Sequence, residues 1–441
     1  MSNIKKYKVK QQETGPLSIN TDSIPRSSLT DGQKEAEKIF DKWFTSKKKQ
    51  RKPILRIGGV SGSGKSWFIR YLIEKYGWER DECYLVSYTG QSMNVLRSRG
   101  LMATTIHSAF MIPVDEPILD SDGKPIYKRG IPMTALRFRP VSRIPSTVQL
   151  IIVDEASFLP ESLEKTLLRY NVPILEIGDP VQLPPVGGKQ CFHMGNLDHF
   201  MTGVMRQNAD SDIYKLSMCF REGRSVDLDQ YWKDVWFVKQ QETIEDTFYR
   251  FLPILRGVDI IITSTNKQRQ IITDLYRQEI IGTNSPYPVE GERVICRRNN
   301  RAQALGEFML TNGTQGICMN TVGRSMVDKS TGTFCMDFMP DVTASSGLYY
   351  DNLICDADFI KQPFGSDLND NYKHLGDKFE YAHAITTHLM QGGQARTVFF
   401  FDSFSRDLEY LNRVRYTAVT RATWKLYYAI PYNGEWSLTG R

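Results

Sequence analysis

Short, fully apolar runs alternate with stretches of helical period in two separate parts of the chain. Ala36, Ile39, Phe40 and Trp43 recur at helical spacing after Thr30, which predicts an amphipathic helix with Thr30 as its N-cap. Ile54 to Ile57, Tyr84 to Ser87, Leu150 to Val153 and Ile174 to Ile177 form short strands, with helical stretches between them. Strands that are apolar on both faces belong in a parallel sheet covered by helices on both sides. Between residues 111 and 146 the pattern breaks into proline-rich sequence with an Asp122-Gly123 turn, which predicts a small hairpin insertion. A second α/β pattern starts near residue 213. It holds a strand from Val258 to Ser264, a helix carrying Ile271, Ile272 and Leu275, a strand from Val398 to Asp402 and a helix from Asp407 to Thr420. Residues 312–375, rich in Gly, Thr, Asp and aromatics, predict a β-type insertion within it. The expected organisation is a flexible basic tail (1–27), a first α/β unit (28–110 and 147–212) with its hairpin (111–146), and a second unit (213–311 and 376–441) with its β insertion (312–375).

Composition narrows the class without naming a function. The 441 residues are 41% hydrophobic and 24% charged, as in ordinary globular enzymes and unlike disordered or fibrous chains. Lys and Arg number 56 against 50 Asp and Glu, a net charge of +6 that is compatible with a polyanionic partner but too mild to require one. The seven cysteines are scattered and never form a Cys-x-x-Cys pair, which argues against a disulfide framework or a zinc cluster. No apolar run reaches about 18 residues and the first residues lack an apolar signal core, so a soluble cytoplasmic protein without a membrane partner is expected.

The chemistry begins where the first strand ends. Gly59-Val-Ser-Gly62-Ser-Gly64-Lys65-Ser66 fits the phosphate-binding pattern G-x-x-x-x-G-K-[ST], with a strand before it and a helix after it. Gly59, Gly62 and Gly64 let backbone N–H groups curl around phosphate. Lys65 reaches the β and γ phosphates of ATP, and the Ser66 hydroxyl is a ligand for Mg²⁺. Ile151 to Glu155 is an apolar strand ending in two acids, so Asp154 is expected in the Mg²⁺ shell and Glu155 beside the attacking water. An acidic pair suits hydrolysis better than transfer to another acceptor.

Gly178-Asp-Pro-Val-Gln182-Leu-Pro-Pro185 follows the fourth strand, and here the sequence resembles superfamily 1B helicases, the RecD/Dda-like branch whose third motif reads GDxxQLPPV. The resemblance extends from Leu29 to Ala422 and is closest in form to phage Dda-like replication helicases. It implies two RecA-like parallel-sheet motor domains, the first with a small pin-like hairpin and the second with an SH3-like β insertion. It also implies roles for single residues. Gln33, in the L-T-x-x-Q-x-x-A segment, reads adenine, and Gln182 senses the γ-phosphate. Arg206, in Val204-Met-Arg-Gln207, and Arg421, in Tyr416-Thr-Ala-Val-Thr-Arg421-Ala, are arginine fingers that approach the phosphates when the domains close.

For the nucleic-acid strand, the resemblance places Thr89, His107, Asn266, Thr387 and His388 on single-stranded DNA. Tyr88 replaces the usual Pro of its motif, and Leu389 and Met390 replace the usual Lys and Ser of theirs. The resemblance also implies an apolar wedge in the hairpin at a junction of single and double strands, for which Phe138, Tyr127 and Ile126 are the candidates. Basic clusters at Arg137, Arg139 and Arg143, and at Arg293, Arg297, Arg298 and Arg301, are candidates for a sequence-blind groove. The reading is an ATP- and Mg²⁺-dependent DNA helicase, monomeric, moving 5′ to 3′, in the host cytoplasm if phage-encoded, with single-strand-binding or replisome proteins as possible partners. Its rivals are an RNA helicase of the viral superfamily 1 type, a P-loop kinase or switch without translocation, and a non-enzymatic single-strand binder.

Overall fold

The computed structural model describes residues 24–47, 49–128, 131–132, 134–185, 188–203, 210–305, 308–322, 332–364, 376–432 and 438. The predicted basic tail therefore lies almost wholly outside the described residues. So does Arg206, with the rest of its motif. Structure begins at the helix Asp31–Phe44, whose N-cap Thr30 accepts from the Gln33 backbone N–H while the Gln33 side chain accepts from the Thr30 N–H. This reciprocal capping box satisfies two donors that a helix start leaves unpaired.

The first unit is a six-stranded parallel sheet in the order His199–Met201, Ile54–Gly59, Ile174–Gly178, Leu150–Asp154, Cys83–Ser87, Ala103–Thr105. Leu150 to Asp154 are all buried. Leu150 and Ile152 pack with Phe40, Phe68 and Leu72 on one face; Ile151 and Val153 pack with Phe110, Leu167 and Phe192 on the other. The continuous apolar run in the sequence is thus the mark of a strand covered twice. The chain reverses strand order beside Ile54–Gly59, and ligands of open α/β sheets bind at the carboxyl ends of strands at such a switch point.

The hairpin pairs Met111–Pro117 with Thr134–Pro140 antiparallel, setting Ile112 opposite Arg139. The second parallel sheet has the order Val235–Lys239, Ala422–Ile430, Ala395–Phe401, Ile260–Thr263, Ala384–Thr386. Ile260, Ile262, Val398 and Phe400 fill one side of it, and Ile261, Phe399 and Phe401 the other.

A five-stranded antiparallel sheet is inserted in this second unit, in the order Tyr350–Asp356, Thr333–Pro340, Gln315–Val322, Arg293–Cys296, Phe379–Tyr381. It takes in strands on both sides of residues 312–375, because the buried run Val294 to Cys296 packs with Phe338 and Phe379 and not with the parallel sheet alone. Arg269, on the helix Asn266–Tyr276, fixes the join. Its guanidinium donates to Glu380 at 2.6 Å, to the Tyr381 carbonyl at 2.6 Å and to the Ala384 carbonyl at 3.0 Å, and lies 3.8 Å from the Phe364 ring centroid.

Beneath the first sheet Arg56 bonds both Glu176, at 2.8 Å, and Glu164. Burial pushes the Glu176 carboxyl up to about 8, partly countered by the charge of Arg56. The folded state therefore keeps a proton that the unfolded chain releases at about pH 4.5, and stability falls as pH rises from there towards 8. Glu176→Gln should lose less melting temperature than the parent between pH 5 and pH 9. Parallel melting curves across that range would contradict this assignment.

Candidate functional site

The strand Ile54–Gly59 delivers the chain into the loop, and the helix Lys65–Tyr76 leaves it. Gly62 and Gly64 sit at φ of 86° and 79°, in the left-handed region that side chains disfavour. A Cβ at Gly59 would stand 2.5 Å from the Ser63 hydroxyl, so the tight curl needs glycine there. Lys65 is buried and folds back over the loop, its Nζ donating to the Gly59 and Val60 carbonyls at 3.0 Å each. The arrangement is an anion cradle whose cation rests on the loop's own carbonyls.

Asp154 and Glu155 stand at the carboxyl end of the central strand. Burial, then the charge of Glu155, pushes the Asp154 carboxyl up to about 7, with Lys65 opposing. Such a carboxylate gains from a nearby cation. Glu155 has φ of 54°, and its Oε2 is buried with no hydrogen bond among the described residues. The same holds for Oε1 of Gln182, a residue only 1% exposed. Unsatisfied buried acceptors of this kind fit a site that is completed by a ligand. Ser66 lines the same cavity.

The far wall of that cavity comes from the second unit: Gly392, Gln394 and Arg421. The buried Arg421 guanidinium donates to the Thr417 carbonyl at 3.0 Å, the Gly393 carbonyl at 3.2 Å and the Thr420 hydroxyl at 3.0 Å. The structure therefore brings Gly62, Gly64, Lys65, Ser66, Asp154, Glu155, Gln182 and Arg421 to one cavity. Gln33 is engaged differently. It is fully buried, caps its own helix, and donates through Nε2 to the Ser63 and Gly64 carbonyls at 3.3 and 3.2 Å, so here it supports the loop from behind.

Arg99 also lines the cavity, and its charge bears on Asp154. No sequence signal marked it, because it follows the helix Gly90–Ser98 and reaches the site only through the fold. A second group missed by sequence reasoning joins the two units: Tyr416, Asp179 and Arg221. The Tyr416 hydroxyl donates to Asp179 and accepts from the Ser61 backbone N–H at 3.1 Å and from Arg221 at 3.3 Å.

The expected strand contacts lie in different settings. His107 and Phe138 meet edge to face with ring centroids 5.0 Å apart, and Tyr88 lies 6.1 Å beyond His107. A residue of the hairpin thus continues an aromatic row from the edge of the first sheet, and Phe138 is exposed. His388 stacks on Tyr410 at 6.5 Å, and burial holds its pKa below the usual histidine range. Asn266 is exposed at the start of its helix. Thr89 caps the helix Gly90–Ser98, whereas Thr387 is buried and donates its hydroxyl to the Thr263 carbonyl at 3.3 Å. Of the basic clusters, Arg139 pairs with Glu116 at 2.8 Å, Arg293 with Asp341 at 2.5 Å, and Arg297 lies 3.6 Å from Glu380. The side chain of Arg301 lies outside the described residues.

Residues 45–188 match the AAA domain family model and residues 381–428 match the UvrD-like helicase C-terminal domain, one in each unit. Pif1 helicase from Bacteroides, in complex with ADP-AlF3 and ssDNA, superposes with a TM-score of 0.51 at 17% identity, covering 93% of this chain and 94% of that one. A structure of two coordinating Pif1 helicases, described as the basis of DNA unwinding at forked dsDNA, gives 0.52 at 18% identity over 92% and 94%. The chain shares the fold of these Pif1 helicases and carries an AAA-domain segment and a UvrD-like helicase C-terminal segment. The Lys65 cradle lies in the AAA-domain segment and Arg421 in the UvrD-like one, so each matched segment supplies one wall of the cavity. The two parallel sheets are the paired α/β units expected from the hydrophobic pattern.

Proposed function

We propose that this helicase hydrolyses ATP at the Lys65 loop and uses the resulting opening and closing of its two parallel-sheet units to move 5′ to 3′ along single-stranded DNA, separating duplex ahead of it. The observation that carries this reading is the shared cavity: Arg421 from one unit faces Lys65, Asp154 and Glu155 from the other. A nucleotide site divided between two bodies ties hydrolysis to their separation.

The residues have distinct work. Backbone N–H groups of the loop and the start of the helix Lys65–Tyr76 hold phosphate, and Lys65 leaves its carbonyls to neutralise the terminal oxygens. The Ser66 hydroxyl and the Asp154 carboxylate are suited to hold Mg²⁺, which when bound neutralises charge between the β and γ phosphates. Glu155 orients and deprotonates the attacking water, and Gln182 reports the γ-phosphate. Glu155→Gln should therefore lower turnover about a hundredfold, the modest end of general-base effects, while nucleotide binding persists. Unchanged steady-state hydrolysis in that variant would remove Glu155 from the role.

The exposed Phe138 and the neighbouring His107 and Tyr88 support a strand-binding surface, since aromatic faces stack on any base. The deciding experiment is an unwinding assay with duplexes carrying either a 5′ or a 3′ single-stranded tail, each in DNA and RNA form. Unwinding from the 5′ DNA tail is the expected result. Unwinding from the 3′ tail alone would reject the polarity, and a preference for RNA would favour the viral RNA-helicase reading.

A further inference from the structure

The Tyr416 phenol lies at the meeting point of four chain segments. It is on the helix Leu408–Val419 of the second unit and 1% exposed. Its O–H donates to Asp179 Oδ2, and its oxygen accepts from the Ser61 N–H at 3.1 Å and from Arg221 Nη1 at 3.3 Å. Arg221 also donates to Asp179 Oδ1 at 2.8 Å. One hydroxyl has one donor and two acceptor positions, and here all three are used. Ser61 lies inside the phosphate loop, where backbone N–H groups serve to hold phosphate. In the structure a side chain from the other unit takes that N–H.

We propose that the Tyr416 hydroxyl is a nucleotide-displaced stand-in on the phosphate loop. It holds the Ser61 N–H when the loop is empty and yields it to a phosphate oxygen on binding, so that loop occupancy changes the contact between the two units. The exchange is one hydrogen bond for another, with no covalent step. After it, the phenol keeps Asp179 and Arg221 as partners, and the loop has lost its direct tie to the helix Leu408–Val419. Tyr416 is a positioning residue in this scheme. The inference rests on nucleotide binding at the Lys65 loop, and the test separates the two.

Tyr416→Phe keeps the ring and removes the hydroxyl, and with it the acceptor that competes for the Ser61 N–H as well as the bonds to Asp179 and Arg221. The full-length variant and parent are titrated with fluorescent ADP and with a fluorescent non-hydrolysable ATP analogue, both with Mg²⁺. The expected result is about fivefold tighter binding in the variant, the scale of one ordinary hydrogen bond. Tightening with both nucleotides, or with the triphosphate alone, supports the proposal and tells which phosphate takes the N–H. Unchanged or weaker binding overturns it, since a purely structural tyrosine gives no gain in affinity. Absence of binding by the parent itself would instead reject the nucleotide reading. Should Tyr416→Phe fail to fold, Asp179→Asn weakens the group that anchors the phenol and should tighten binding in the same direction. Unchanged or weaker binding there also overturns the proposal.

Discussion

Arg421→Ala should reduce DNA-stimulated ATP hydrolysis about a thousandfold or more while nucleotide affinity shifts by only a few fold. The magnitude follows from what an arginine finger does: it meets charge that develops on the transferring phosphoryl group and is therefore worth more in the transition state than in the bound state. Arg421 is buried and held by Thr417, Thr420 and Gly393, all from its own unit. The truncation therefore leaves the first unit's cradle untouched. Single-turnover hydrolysis with a parallel binding titration checks the split. Loss of binding equal to the loss of rate would mean that Arg421 holds ground-state nucleotide and is not a finger.

Lys65→Ala should lower hydrolysis by a similar order, about 10³, but with nucleotide binding weakened as well. In the structure Lys65 Nζ is hydrogen-bonded to two loop carbonyls, so nucleotide must draw it away from partners already made. Its gain on binding is correspondingly the difference between phosphate oxygens and carbonyl oxygens, which favours the charged acceptor. Circular dichroism should show a folded protein. Normal steady-state turnover would remove Lys65 from the site.

The nucleotide loop and the acidic pair were legible because their chemistry is contiguous. Four fixed residues within eight positions, and two acids after an apolar strand, describe local geometry without the rest of the fold. Arg421 was legible only through the longer match around it. Gln33 shows a signal with two readings: Thr30-x-x-Gln33 is also the spacing of a capping box, and that spacing accounts for the bonds Gln33 makes with Thr30. The Tyr416 node was not legible, because its partners lie 355, 237 and 195 residues away along the chain. The reach of the antiparallel sheet escaped for another reason. Val294 to Cys296 are buried like a parallel-sheet strand, and composition changes only after the first inserted strand has ended.

The Arg269 join ties the antiparallel sheet, as an arm, to the second parallel-sheet unit. Four strand spacings of about 4.8 Å put its outer strand, Tyr350–Asp356, roughly 19 Å from Phe379–Tyr381. A turn of about 15°, the scale of known rigid-body rotations, would carry that outer strand through about 5 Å. In the proposed cycle, motion generated at the nucleotide cavity would reach the rim of the insertion enlarged by leverage.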